Sequence, residues 1–278
     1  MAEKGKRAIA DSASHRSSKR RKGGEQWRKQ QAAKSGRIMI ESGDSGVFVT
    51  CDMGREGKCT AEALDLFSQS VEISHENTGK VEESEDDDDD IEAQIRKEVE
   101  GLKPKSEARP LFQAIRLDIP CLIFIRVDKS IDPVQLVHRL CAEAQANPEK
   151  KKSRWIKRMT PVTSIRKTLS VDLESFAKEI LKPHFHAGGP PKKYAIRPTV
   201  RSNDQWKRDD IIKTIADVVG PGHSVDLKHY DLIILVDVVQ NVIGMSVVGS
   251  DYDQLKRFNL AELYSPTPKP QGPKNDQN

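Results

Sequence analysis

With 278 residues, 36% hydrophobic and 32% charged, and a formal net charge of +4, the chain has room for one large domain or two small ones plus tails. Its longest apolar run, 232–248, is interrupted by Asp237, Gln240 and Asn241, which argues against a membrane span. Cys51, Cys59, Cys121 and Cys141 form no CxxC pair and no regular framework; with no apolar leader, a reduced intracellular compartment is expected.

The small net charge hides segregation. Residues 1–37 hold twelve bases (Lys4, Lys6, Arg7, Arg16, Lys19, Arg20, Arg21, Lys22, Arg28, Lys29, Lys34 and Arg37) against Glu3, Asp11 and Glu25. So few large apolar residues cannot bury a core, and 1–45 is expected to be a disordered basic tail. Ser18-Lys19-Arg20-Arg21-Lys22 reads as a nuclear-import address, implying a nuclear or nucleolar protein, or as a loose nucleic-acid tether.

Order is expected from Gly46. Residues 47–51 read as a strand, 52–58 as a polar turn, and 59–71 as a helix with Ala63, Leu64, Phe67 and Val71 at helical spacing. Residues 82–92 then hold nine acids and no base, a loop that repels phosphate and offers Ser84 as an acidophilic phosphorylation site. A helix over 91–102 and a buried strand over 121–127 complete a first α+β module, 46–131. Asp132-Pro133 opens the next helix as N-cap and first position, and Asn147-Pro148 stops it. Ser170 is expected to cap a helix that Pro183 ends. A strand follows over 194–201, with Ala195, Arg197, Thr199 and Arg201 opposite to Tyr194, Ile196, Pro198 and Val200; Pro198 marks an edge or bulge. A helix over 209–219 turns Ile211, Ile212, Ile215, Ala216 and Val219 inward. Strands over 232–239 and 242–248 complete a second module, 132–250. Residues 251–264 read as a short helical segment and 265–278 as a disordered Pro-rich tail.

The chemistry concentrates in residues 150–167: Lys150, Lys151, Lys152, Arg154, Lys157, Arg158, Arg166 and Lys167, with no acid among them. Such density neutralises phosphates, and Trp155 between the charges is a candidate stacking surface, as are Tyr194 and Trp206. The first half, 154–162, reads as a strand packing Ile156 and Val162 inward and presenting Trp155, Lys157 and Met159. Arg197, Arg201, Lys207 and Arg208 extend the basic face if the strands are neighbours. A solvated, charged strand edge is the alternative.

Enzymatic constellations are missing from the sequence. Gly220-Pro221-Gly222 follows a helix instead of a strand, and Ser42-Gly43-Asp44-Ser45-Gly46 precedes its strand, so neither suits a dinucleotide or phosphate loop. No Walker A or acetyl-CoA loop occurs. His184 and His186 lack further ligands, so neither a metal nor a cofactor is expected. Cys51 and Cys59 flank a turn with no adjacent base.

Gly46-Val47-Phe48-Val49-Thr50-Cys51-Asp52-Met53 with Lys58-Cys59, Arg158-Met159-Thr160-Pro161, Val225-Asp226-Leu227 and Arg257-Phe258-Asn259-Leu260-Ala261-Glu262 resemble, in order, the eukaryotic THUMP-domain adaptors for tRNA acetylation. That resemblance implies an N-terminal ferredoxin-like domain followed by an α/β THUMP domain that engages the acceptor end of tRNA. It implies a non-catalytic protein delivering tRNA to a separate RNA cytidine acetyltransferase for N4-acetylcytidine formation in the D-arm. An RNA-modifying enzyme with a cryptic site, or an RNA-binding protein of ribosome biogenesis, are the competing readings.

Overall fold

Two sheets share the described part of the chain, which in this computed structural model is residues 39–78 and 110–265. The acidic run with Ser84, the helix expected at 91–102, residues 1–38 and the Pro-rich tail lie outside the described residues. The described residues from Ile40 onward belong to one compact unit.

The first sheet is built from β1 (Ser45–Thr50), β2 (Phe112–Arg116), β3 (Leu122–Val127) and β4 (Met159–Val162), in the order β2-β3-β1-β4. All neighbours are antiparallel. Helix α1 (Glu56–Thr78) follows β1, and α2 (Pro133–Ala146) precedes β4. Alternation decides the faces. Val47, Val49, Ile123, Ile125 and Val127 meet Ala63 and Phe67 of α1 and Leu136, Val137, Leu140, Cys141 and Ala144 of α2. Phe48, Leu122 and Phe124 point the other way, toward Ile165, Val239 and Val242. Asp132 caps α2 as expected, accepting from the Val134 amide at 2.8 Å.

Strand pairing crosses the module boundary expected at 131/132. Strand β4 pairs with β1, Val49 opposite Met159 and Gly46 opposite Val162, so α2 and β4 complete the first sheet. The strand expected over 154–162 is also shorter. The Glu62 carboxylate accepts the amides of Arg154, Trp155 and Ile156, so these donors are taken by a side chain instead of a ladder. Met159, expected outward, is fully buried.

The second sheet comprises β5 (Ser164–Lys167), β6 (Lys193–Arg201), β7 (Ser224–Val225), β8 (Leu232–Val239) and β9 (Val242–Gly249), in the order β5-β9-β8-β6-β7. Strand β6 runs parallel to β7 and β8; the other pairings are antiparallel. Helices α3 (Leu173–Phe185) and α4 (Arg208–Val219) cover one face, with Phe176, Ile180, Leu181, Ile211 and Ile215 on Ile234, Val236 and Val238. Two helix signals are corrected. Asp172 caps α3 in place of Ser170, accepting from the Glu174 amide, and Pro183 sits inside the last turn, which runs on to Phe185. In α4, Ile212 stays exposed while Val218 turns inward. Pro198 lies beyond the two-residue pairing of β6 with β7, an edge position that needs no donor.

Gly244 of β9 lies where the sheets meet: a Cβ there would come within 2.6 Å of Val162 Cγ1. After β9 the chain returns to the first sheet. Tyr252, Leu255, Phe258, Leu260 and Leu263 enter the same core as α1 and α2, through a 3-10 turn (Lys256–Phe258) and helix α5 (Leu260–Tyr264).

A candidate nucleic-acid interface

The face of the second sheet away from α3 and α4 is apolar at one end and polar at the other. Along β8 that face carries Ile233, Leu235, Asp237 and Val239; Asp237 is the one charge in the strand. Parallel β6 sets Arg197 beside Leu235, Thr199 beside Asp237 and Arg201 beside Val239. Three other segments close over this row: Arg158 just before β4, Arg208 at the start of α4, and Tyr252 and Arg257 from the returning C-terminal segment. Together they line a cleft of about 440 Å³.

Five guanidiniums therefore converge, and arginines stay charged throughout the neutral range. Two carboxylates stand against them. Asp253 at the rim accepts from Arg257 Nε at 2.8 Å and from the Tyr230 hydroxyl at 2.7 Å, with Arg197 Nη1 at 3.6 Å. Burial opposes its ionisation, but those donors hold its carboxyl below the usual range. Asp237 at the floor behaves oppositely. Complete burial pushes its carboxyl from 3.8 up to about 6, against the pull of Arg201, Thr199 and Arg158. The Arg158 Nε and Arg197 Nη1 atoms are buried and have no hydrogen-bond partner among the described residues. A cleft this rich in guanidinium is suited to a phosphate, which accepts paired N–H bonds from it.

Backbone strain aims the fifth arginine. Lys256, Arg257 and Phe258 all have positive φ, 53°, 58° and 57°. Each such residue costs about 1–2 kcal/mol. The turn sends Phe258 into the core, edge-on to Tyr252 at 5.0 Å, and leaves Arg257 at the cleft.

Of the residues expected to bind RNA, the fold gathers Arg158, Arg197, Arg201 and Arg208. It disperses the rest. Lys150 and Lys151 are exposed, Lys152 pairs with Glu143, and Lys157 pairs with Asp52 at 3.3 Å. Arg154 lies over the Trp155 ring. Arg166 is held by Glu179 at 2.8 Å and covers Phe176, and Lys167 donates to the Ile40 carbonyl. Lys207 is the exposed N-cap of α4 and does not line the cleft. Tyr194, considered for stacking, is buried against Phe185 in the helix-covered core, and Trp206 packs against the same core. Asp237, Asp253, Tyr252 and Arg257 were not singled out. Asp237 alone left a signal, a carboxylate at an inward position of a strand otherwise apolar.

The family model for the THUMP domain matches residues 170–248, which run from just before α3 to within one residue of the end of β9. An uncharacterized protein of Schizosaccharomyces pombe is 36% identical over 230 residues, covering 82% of this chain and 78% of its own. The Saccharomyces cerevisiae protein called tRNA acetyltransferase TAN1 is 30% identical over 253 residues, covering 81% of this chain and 86% of its own. THUMP domain-containing protein 1 of Bos taurus is 32% identical over 236 residues; the match covers 81% of this chain but 64% of that protein. Both fungal relatives are at least 30% identical and are matched over more than three quarters of their own length, and on that ground, with the THUMP match, the chain belongs to the family of THUMP-domain proteins.

Proposed function

We propose that the chain is a non-catalytic tRNA-binding adaptor that presents tRNA to a separate RNA cytidine acetyltransferase for N4-acetylcytidine formation in the D-arm. The observation that carries the RNA part is the arginine cleft, where five guanidiniums line one concave surface. Its lining suits holding better than chemistry, since guanidiniums do not give up protons near neutrality. The tRNA and acetylation parts lean on the relative named tRNA acetyltransferase TAN1. To the same proposal belong the acceptor end of tRNA as the engaged segment and residence in the nucleus. So does a division near residue 163 into a ferredoxin-like unit and a THUMP unit, with the β-α-β-β-α-β order and the β2-β3-β1-β4 sheet in support of the first.

The test is a modified-nucleoside census of tRNA from cells lacking this chain. N4-acetylcytidine should vanish from tRNA while other modifications persist, and return on expression of the wild-type chain. Unchanged N4-acetylcytidine would refute the acetylation role.

A further inference from the structure

A second cationic feature lies where the loop before β4 meets the start of α1. Glu62 of α1 shapes that loop: its carboxylate accepts from Ser153 Oγ at 2.6 Å and from the amides of Arg154, Trp155 and Ile156 at 2.9, 2.9 and 3.2 Å. Burial opposes its charge, but these donors keep the carboxyl below its usual range. The half-buried Trp155 ring is thereby fixed. Arg154 lies 4.7 Å from the ring centroid, and Arg55 and Lys58 of the neighbouring segment each lie 5.1 Å away.

All three cations are exposed, and none has an ion-pair partner among the described residues. The nearby acids are committed elsewhere: Glu62 to the loop amides, Glu56 to the Cys121 amide, and Asp52 to Lys157. Cation–π attraction draws the three charges to one indole ring, and their mutual repulsion is left for an outside anion to relieve. Trp155, a candidate stacking surface in the sequence, here gathers these cations around its ring. Arg154 is four residues from Arg158 in the cleft, at most about 14 Å of extended chain. A single polyanion of a few nucleotides spans that length.

We propose that Arg55, Lys58 and Arg154, gathered on Trp155, form a second RNA-contact site that takes backbone phosphates of the strand leaving the cleft; this rests on the RNA reading of the cleft. The test compares the full chain with two variants, Arg55→Gln/Lys58→Gln/Arg154→Gln and Arg197→Gln/Arg201→Gln. The probes are a tRNA transcript and an RNA dinucleotide, too short to reach from the cleft to the patch, titrated against salt. Removing up to three phosphate contacts should lower the log–log salt slope for tRNA by about 2–3, with the short RNA bound as before. The cleft variant should lose both probes. Single Arg55→Gln and Lys58→Gln variants, which replace exposed side chains, should each lower the slope by about 0.7–0.9. An unchanged tRNA slope in the triple and single variants, while the cleft variant weakens binding, overturns the second site. So does an unchanged slope accompanied by lost acetyltransferase binding, which would assign the patch to a protein partner. If wild-type chain binds neither probe, the cleft reading falls first.

Discussion

Replacing Asp237 by asparagine tests the electrostatics of the cleft floor with little change of shape. The carboxyl is buried and pushed from 3.8 to about 6, so at neutral pH the fold holds a carboxylate that its site disfavours despite Arg201 and Arg158. That displacement corresponds to about 3 kcal/mol at roughly 1.4 kcal/mol for each tenfold change in proton affinity. Between pH 4 and 6, roughly, the folded protein keeps a proton that the unfolded chain has released. Stability from this group is therefore present at low pH and lost as pH rises through that window. Asparagine resembles the protonated acid, so Asp237→Asn should be more stable at pH 7.5 by about 1–3 kcal/mol, or about 2–10 °C in Tm for a domain of this size. The gain should shrink toward zero by about pH 4. Thermal unfolding of both proteins from pH 4 to 8 reads this directly, and phosphate or tRNA should bind the variant more tightly at pH 7.5. A variant that is less stable at pH 7.5, or whose difference from wild type ignores pH, would show that the arginines outweigh burial and refute the reasoning.

Arg201→Gln with Arg208→Gln should lower the tRNA salt slope by about 1.4–1.8; an unaltered slope would remove these two from the phosphate contacts. Glu62→Ala leaves the Ser153 hydroxyl and three amides without their acceptor, so denaturant titration should show a loss of about 2–4 kcal/mol. Because its carboxyl is held below the usual range, the wild-type contribution should be present at neutral pH and fade on acidification below about pH 4.5. Gly244→Ala places a methyl 2.6 Å from Val162 Cγ1 at the sheet junction and should cost about 1–3 kcal/mol; a neutral result would mean the junction is loosely packed.

Local pattern carried much of the fold. The inward stripe of Val137, Leu140, Cys141 and Ala144, the Asp132-Pro133 start, and the opposed faces of Arg197 and Ile196 follow from periods of 3.6 and 2 and from capping chemistry. Pairings between distant segments did not show. Nothing near residue 160 signals that Met159 will lie opposite Val49, and that long-range ladder moved α2 and β4 into the first sheet. The candidate site divides in the same way. Arg158, Arg197, Arg201 and Arg208 were visible as bases, but their convergence depends on β6 lying parallel to β8 and on the chain returning after β9. Arg257 stands in a segment with no basic run, and it reaches the cleft through three left-handed residues that no propensity favours. The dense run 150–157 looked like the centre of the site, yet Glu143, Asp52 and Trp155 each claim one of its charges.

As proposed, the protein is an adaptor whose cleft holds tRNA while another protein does the chemistry. Acetylation of a tRNA transcript from labelled acetyl-CoA measures this with purified components: the chain alone, an RNA cytidine acetyltransferase alone, both together, and both with Arg197→Gln/Arg201→Gln/Arg208→Gln. Label should enter tRNA when both wild-type proteins are present, not with the chain alone, and should fall at least tenfold with the cleft variant. Acetylation by the chain alone, or undiminished acetylation with the cleft variant, would contradict it.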